Sequence, residues 1–409
     1  MQSDPSGPFN SITITAGYTG TVTVTGPVQT DALYLNNGTI DQPAGSGSDI
    51  TVLGGATLND NTWWLNPGWD GGSDFNWTGG TLDSTNSGAT LHISGAGTTG
   101  VINPVNAGAI STGDTLSIEN GASATFQPGT LTFTGGTGLV VTSNCLAMVD
   151  PTGPDVTFSA NTAGVGAPKN WIQAGGKITV NGTGTWNGAN VPLQNDGGTF
   201  TVQGGATASF VGAVGPADQA ASYRQTGTTG LTLIQNGSTI QVASGMYLSA
   251  GKLATIATNS TTQANAKVDG DLTDVGADIV ISDNAYNPAG VTTHQYATFE
   301  VTGNVRWSGG TFRPHLDVQP QVIEGETLWL EVCDVWLIDK TLITSNGAAI
   351  APIKTANVVH NEGYLFPIIE AIGGFSVSVG NNPPKVWGAG FTLVNSTNNP
   401  GVVWNLLYN

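Results

Sequence analysis

What this sequence lacks narrows its class first. Only 9% of its 409 residues are charged, where about 25% is usual. Just 10 are Lys or Arg and none of these precedes Lys169, whereas 12 acidic residues lie between Asp4 and Asp155. Gripping phosphates takes basic side chains, so nucleic-acid binding is excluded and anionic membrane surfaces are disfavoured. No apolar run reaches the roughly 18 residues of a membrane helix, so no membrane span is expected. Runs of Ala, Glu, Lys, Leu and Arg are missing, which removes helix bundles and coiled coils. The two cysteines, Cys145 and Cys333, sit in the apolar contexts SNCLAM and EVCDVW. Burial as small side chains suits both, and the sequence leaves open whether they pair. The opening MQSDPSGPFN has no charged segment followed by an apolar one, so no export signal is expected within it.

In place of charge the chain carries Thr, Ser, Asn and 59 Gly, together with 11 Trp, 12 Phe and 8 Tyr. So many aromatics with so little charge do not describe a disordered chain. Short alternating segments such as ITVL, TLHI, TLSI, TLTF, KITV, TFTV, LTLI and TIQV recur to about residue 315. Apolar residues point one way and Thr the other, the period-2 pattern of a strand. Between them stand NNG, GGA, ENGA and QNG, turns in which glycine takes up positive φ at little steric cost. No amphipathic helix is expected, and Ala217–Gln225 offers at most a turn or two.

The spacing of these units, very roughly 20 residues, suits a parallel β-helix (β-solenoid) in which each coil stacks on its neighbour. An aromatic–Gly element recurs as FNWTGGTL at Phe75–Leu82, GTWNGANV at Gly184–Val191 and VRWSGGTF at Val305–Phe312. Near residue 316 the texture changes: 50 Gly fall in the first 321 residues and 9 in the last 88. The expected organisation is therefore all-β, with solenoid repeats over 1–315, a Trp-rich insertion at about 60–78, and a less regular β-rich C-terminal cap over 316–409.

These strand repeats, ending in GNVRWSGGTFRP, then GYLFPIIEAIGGFSV and a last strand pair, resemble the passenger regions of autotransporter-type surface proteins. They also resemble the Gly-rich repeats of large exported proteins of planctomycete-like bacteria. The resemblance implies a right-handed parallel β-helix at the cell surface or outside the cell. It departs from the autotransporter pattern in that no membrane barrel follows Asn409, so self-export is not expected.

Three groups of residues are candidates for chemistry or binding. The insertion from Asn61 to Trp77 sets Trp63, Trp64 and Trp69 among Asp70 and Asp74. Indole faces beside polar acceptors suit stacking on a glycan, while packing of the insertion on the solenoid, the reading the residues favour, or a subunit interface would use the same residues. The run Asp269, Asp271, Asp274 supplies oxygen ligands of the kind Ca²⁺ takes. It is no EF-hand, because its twelfth position is Val280. Arg313, His315 and Asp317 alternate along one strand face, close to the carboxylate pairs Glu324/Glu326, Glu331/Asp334 and Asp334/Asp339. No pectinase-type Asp/His set, zinc spacing or nucleophile elbow accompanies them, and a salt-bridged, solvated strand face at the cap boundary is the reading that fits them better. The expectation is a non-catalytic exported structural protein without a required cofactor, a building block of a surface or fibre. Self-association would run end to end or by strand addition. The alternatives are a glycan-binding adhesin that uses the Trp-rich insertion and a polysaccharide-active β-helix enzyme.

Overall fold

The computed structural model describes mainly the short strands between residues 11 and 188, and then residues 192–257, 264–286, 296–323, 326–345, 347–358, 364–377, 384–396 and 403–408. They form strands and turns, with a single turn of 3-10 helix at Asn284–Tyr286. Ala217–Gln225 holds turns that lead into the strand Tyr223–Gln225. The chain divides into two compact units, one of Met1–Thr201 with Ala206–Val214, the other of Val202–Gly205 with Gly215–Asn409.

In the first unit every third strand pairs in parallel, which gives three ladders and three strands to a coil. One ladder begins Ile12–Ile14, Leu33–Leu35, Gly55–Leu58 and Gly80–Ser84, and runs on to Thr207–Phe210. A second stacks Thr62–Leu65, Thr90–Ser94, Thr115–Glu119 and Leu139–Val141. The third stacks Val28–Thr30, Ile50–Val52, Asp74–Trp77 and Thr99–Ile102. Such a coil puts alternate residues inside. Accordingly Ile118, Leu139, Val141, Ile178 and Val180 are fully buried. The step from a residue to its partner one coil on ranges from 18 (Thr21 to Thr39) to 31 (Leu146 to Lys177). The parallel β-helix read from the strand repeats is therefore the observed fold, with coils of unequal length.

The second unit uses the same three-ladder plan with steps from 21 (Leu231 to Lys252) to 38 (Thr311 to Ala349). Its longer coils fuse two ladders into one bent strand. Leu272–Val280 pairs through Leu272–Asp274 with Met246–Leu248, and through Asp278–Val280 with Lys252–Ala254. Val305–Arg313 stacks on it with register shifts at the bend, a bulge that turns the corner. The corner requires glycine. A Cβ on Gly309 would lie 2.0 Å from the Val275 carbonyl oxygen, and one on Gly310 (φ +77°) 1.9 Å from that of Ala277.

The three aromatic–Gly elements occupy non-equivalent places. Trp77 ends the third-ladder strand Asp74–Trp77, Trp186 lies on the first ladder in Thr185–Gly188, and Trp307 lies on the second. The change of texture near residue 316 coincides with an antiparallel hairpin, His315–Ile323 with Glu326–Cys333. This hairpin lies inside the second unit, and parallel coils continue beyond it through Val335–Ile338 and Tyr364–Ala371. There the direction reverses. Val403–Tyr408 lies antiparallel on Tyr364–Ala371, and Phe391–Asn395 antiparallel on Val403–Tyr408, as the last strand of its sheet.

Candidate functional site

Among the described residues, chemically capable side chains gather at the base of the hairpin. Asp334, fully buried, follows the strand Glu326–Cys333. It accepts bonds from the backbone N–H groups of Ala297 (3.3 Å) and His315 (2.9 Å), and its Oδ2 lies 2.9 Å from His315 Nδ1. On the neighbouring strand Asp317 accepts from the Thr355 hydroxyl, from Asn357 Nδ2 (3.0 Å) and from Gln319 Nε2 (3.2 Å). Burial acts to raise the Asp317 pKa, but these donors and the Val318 N–H outweigh it and hold the carboxyl below its ordinary value. The Tyr296 hydroxyl also bonds to Asp317, and burial together with that carboxylate lifts its pKa above the usual range. Cys333 is a free thiol whose Sγ lies 3.4 Å from the Pro367 carbonyl oxygen. Burial, then the charges of Asp334 and Glu331, push its pKa up to about 12. Since the thiolate is the nucleophilic form, this cysteine stays unreactive near neutral pH. Each carboxylate is engaged by several donors, as in a clasp that fixes the hairpin to the coils. Arg313 points elsewhere, pairing with Asp278 at 3.1 Å.

The three aspartates of the 269–274 run serve different partners. Asp269 accepts from the Thr302 hydroxyl (2.7 Å) and Gln241 Nε2 (3.1 Å), while Asp271 Oδ1 accepts from the Asn304 N–H at 2.7 Å. Asp274 is fully buried, and its Oδ1 takes the N–H groups of Gly276 (3.1 Å) and Ala277 (2.8 Å). Among the described residues no three His, Cys, Asp or Glu side chains gather closely enough to hold a metal ion. Asn195, also fully buried, makes the same turn with Gly197 and Gly198 at 3.2 and 2.9 Å. A side-chain oxygen that bonds two or three residues ahead builds a corner locally, and a neutral amide does it as well as a carboxylate.

Asp274 differs from Asn195 in its proton. Burial, only partly offset by its two backbone bonds and reinforced by nearby Asp278, raises its pKa to about 7, from an ordinary value of about 4. Between these values the folded protein holds a proton that the unfolded chain has released, so stability falls as pH rises through that window and levels off above about pH 7. Three pKa units correspond to roughly 4 kcal/mol. Asp274→Asn should keep the corner and abolish this slope. Urea midpoints of the two proteins from pH 4.5 to 8 would therefore diverge upward in pH, with the variant the more stable at pH 8. Parallel curves would show that Asp274 is charged in the fold throughout.

Of the Trp-rich insertion, Trp63 and Trp64 lie in the strand Thr62–Leu65, in register with Leu91 and His92. Asp74 begins the strand Asp74–Trp77, opposite Thr99. Trp69 and Asp70 lie outside the described residues. Sequence reasoning missed Tyr296, Thr355, Asn357 and the exposed indole of Trp387, which is 58% accessible. A coil-length rule would have found one of them, because Thr355 lies 38 residues after Asp317, the same step as Thr311 to Ala349.

No family model matches the chain, and no curated protein sequence matches it either. Among solved structures, the crystal structure of a TibC-catalysed, hyper-glycosylated TibA fragment (55–350) aligns with 93% of this chain and 94% of its own, at 16% identity and a TM-score of 0.31. So loose a likeness carries no argument about function, which has to come from this chain's own residues.

Proposed function

We propose that this chain is a non-catalytic, exported β-solenoid that builds a surface layer or extracellular fibre, its copies joining by strand addition at an open sheet edge. The observation that supports this reading is the strand Phe391–Asn395. One of its edges is bonded to Val403–Tyr408, and among the described residues no strand covers the other. Free edges are normally blunted by Lys, by inward charge or by proline. This one reads FTLVN and carries neither charge nor proline. An uncharged edge of five residues is a template on which an extended segment of another copy can pair. Contacts of that kind that do not close into a ring extend into filaments.

Light scattering over a 100-fold concentration range, followed by electron microscopy, tests the reading. The protein should grow in mass with concentration and form fibres, and Thr392→Lys with Asn395→Lys should leave monomers with unchanged circular dichroism. A wild type that stays monomeric at every concentration would remove the proposal.

A second reading, a glycan-binding adhesin, draws on Trp63, Trp64, Trp69, Asp70 and Asp74, and is favoured by the half-exposed Trp387, an indole placed where a sugar ring can stack. On a glycan array, Trp63→Ala, Trp69→Ala and Trp387→Ala should each lower the signal at least tenfold if their indoles carry binding. Equal signals from wild type and all three variants would dismiss it.

A further inference from the structure

Inside the second unit, Asp274 aligns with Trp307 one coil on, and Trp307 with Thr344 on the next. All three side chains are buried, at 0%, 0% and 1% exposure. They form one inward-facing row across three consecutive coils, and each ends in a polar atom without a partner in the protein: Asp274 Oδ2, Trp307 Nε1 and Thr344 Oγ1. A fourth such atom, Trp336 Nε1, belongs to the ring that meets Trp307 edge-on, with centroids 5.5 Å apart. Buried polar atoms almost always have a partner, protein or ordered water, and four bare ones in one place would carry a heavy desolvation cost.

We infer that this row encloses an internal hydration site, in which ordered water bridges the Asp274 carboxyl, the Trp307 indole and the Thr344 hydroxyl. The chemistry of the row selects water over other occupants. Indole N–H groups donate only, so a metal ion finds a single carboxyl and one hydroxyl there, too few ligands for Ca²⁺. An anion would meet Asp274. A neutral molecule that accepts from the indole N–H groups, and that can either donate to the Asp274 carboxylate or accept from its protonated form, satisfies every atom. Strands stack about 4.8 Å apart, a spacing at which one water can reach polar atoms on two neighbouring coils. The register shifts at Asp274/Val275 and Val275/Asp278 mark a bulge in the strand that carries Asp274, and a bulge interrupts the regular ladder at the level of the row.

The test distinguishes a wet row from a dry one by the sign of an effect. Thr344→Val keeps the shape and removes the hydroxyl. If water uses that hydroxyl, the melting temperature falls by about 2–6 °C. If the row is dry, removing an unpaired buried hydroxyl raises it, and the inference is overturned. Should the variant fail to fold, the wild type decides alone. With ¹⁵N-indole labelling, Trp307 Nε1–H, assigned through Trp307→Phe, should show cross-relaxation to long-lived water. Its absence, or a high-resolution crystal structure without density between Asp274 and Thr344, would equally overturn the inference.

Discussion

Trp336→Ala is expected to lower the unfolding free energy of the second unit by roughly 3–5 kcal/mol, the range for removing a large buried aromatic. The reason lies in what the ring joins. Trp336 is fully buried on the first ladder, in register with Phe299 one coil before and Ile369 one coil after. Its ring stacks on Phe299 (6.3 Å, 23°) and meets Trp307 (5.5 Å, 65°) and Phe312 (5.4 Å, 56°), which stand on the other two ladders. One side chain therefore ties all three walls of the coil together, and alanine leaves a cavity where they meet. Aromatic pairs add about 0.5–1.5 kcal/mol beyond the area they bury, which places the loss towards the upper end. Trp336→Phe keeps a ring in the centre, so its cost should stay near or below about 1.5 kcal/mol. Equilibrium urea unfolding measures both variants. An alanine variant that loses under about 1 kcal/mol would mean that the walls are held by the ladders alone.

Asp334→Ala should cost a comparable amount, about 3–5 kcal/mol, because it removes the acceptor that several buried or half-buried donors share. The carboxylate is the shared acceptor of two backbone N–H groups and of the His315 ring, from a position with no exposure to water. Alanine strips all three donors at once, and each buried donor left bare carries about 1–3 kcal/mol. Asp334→Asn, which keeps one carbonyl acceptor, should lose about half as much. The loss is expected to be local. Brief proteolysis should cut the variant within His315–Cys333 and leave the coils about Thr239–Val242 intact. A hairpin as resistant as the wild type's would show that its strand pairing, rather than the carboxylate, fixes it.

Much of this fold was legible residue by residue, and the legible part has a common cause. Alternation such as KITV at Lys177–Val180 reports which side of a strand is buried, a property of neighbours two apart, and Ile178 and Val180 are indeed interior. Which strand lies on which is a different matter. Stacking depends on coil length, and coils here vary between 18 and 38 residues, so a fixed period of about 20 could not place Trp336 against Phe299. The Trp–Gly elements show the same limit. Trp77, Trp186 and Trp307 fall on three different ladders, so the recurrence of the element in sequence marks no fixed place in the coil. The aspartates of the 269–274 run were adjacent in sequence but are separated by their strand positions. Asp269 and Asp271 engage the next coil at Thr302 and Asn304, and Asp274 turns inward. The clasp at Asp317 was half visible, since its acids stood out and its donors Thr355 and Asn357 lay a coil away.

The unequal coils bear on how the chain finds its fold. Every ladder contact closes a loop of one coil, and closure entropy grows only with the logarithm of loop length. Going from 18 to 38 residues thus adds only about 0.7 kcal/mol to each closure. Among the described parallel coils none is a kinetic bottleneck on account of its length, and each of their pairings joins segments at most 38 residues apart. Once one coil forms, its exposed ladders template the next, and order spreads outward from wherever it began. A lengthened loop at a corner is then nearly free to acquire, which explains how insertions as large as the hairpin at His315–Cys333 sit in the second unit without interrupting the coils on either side.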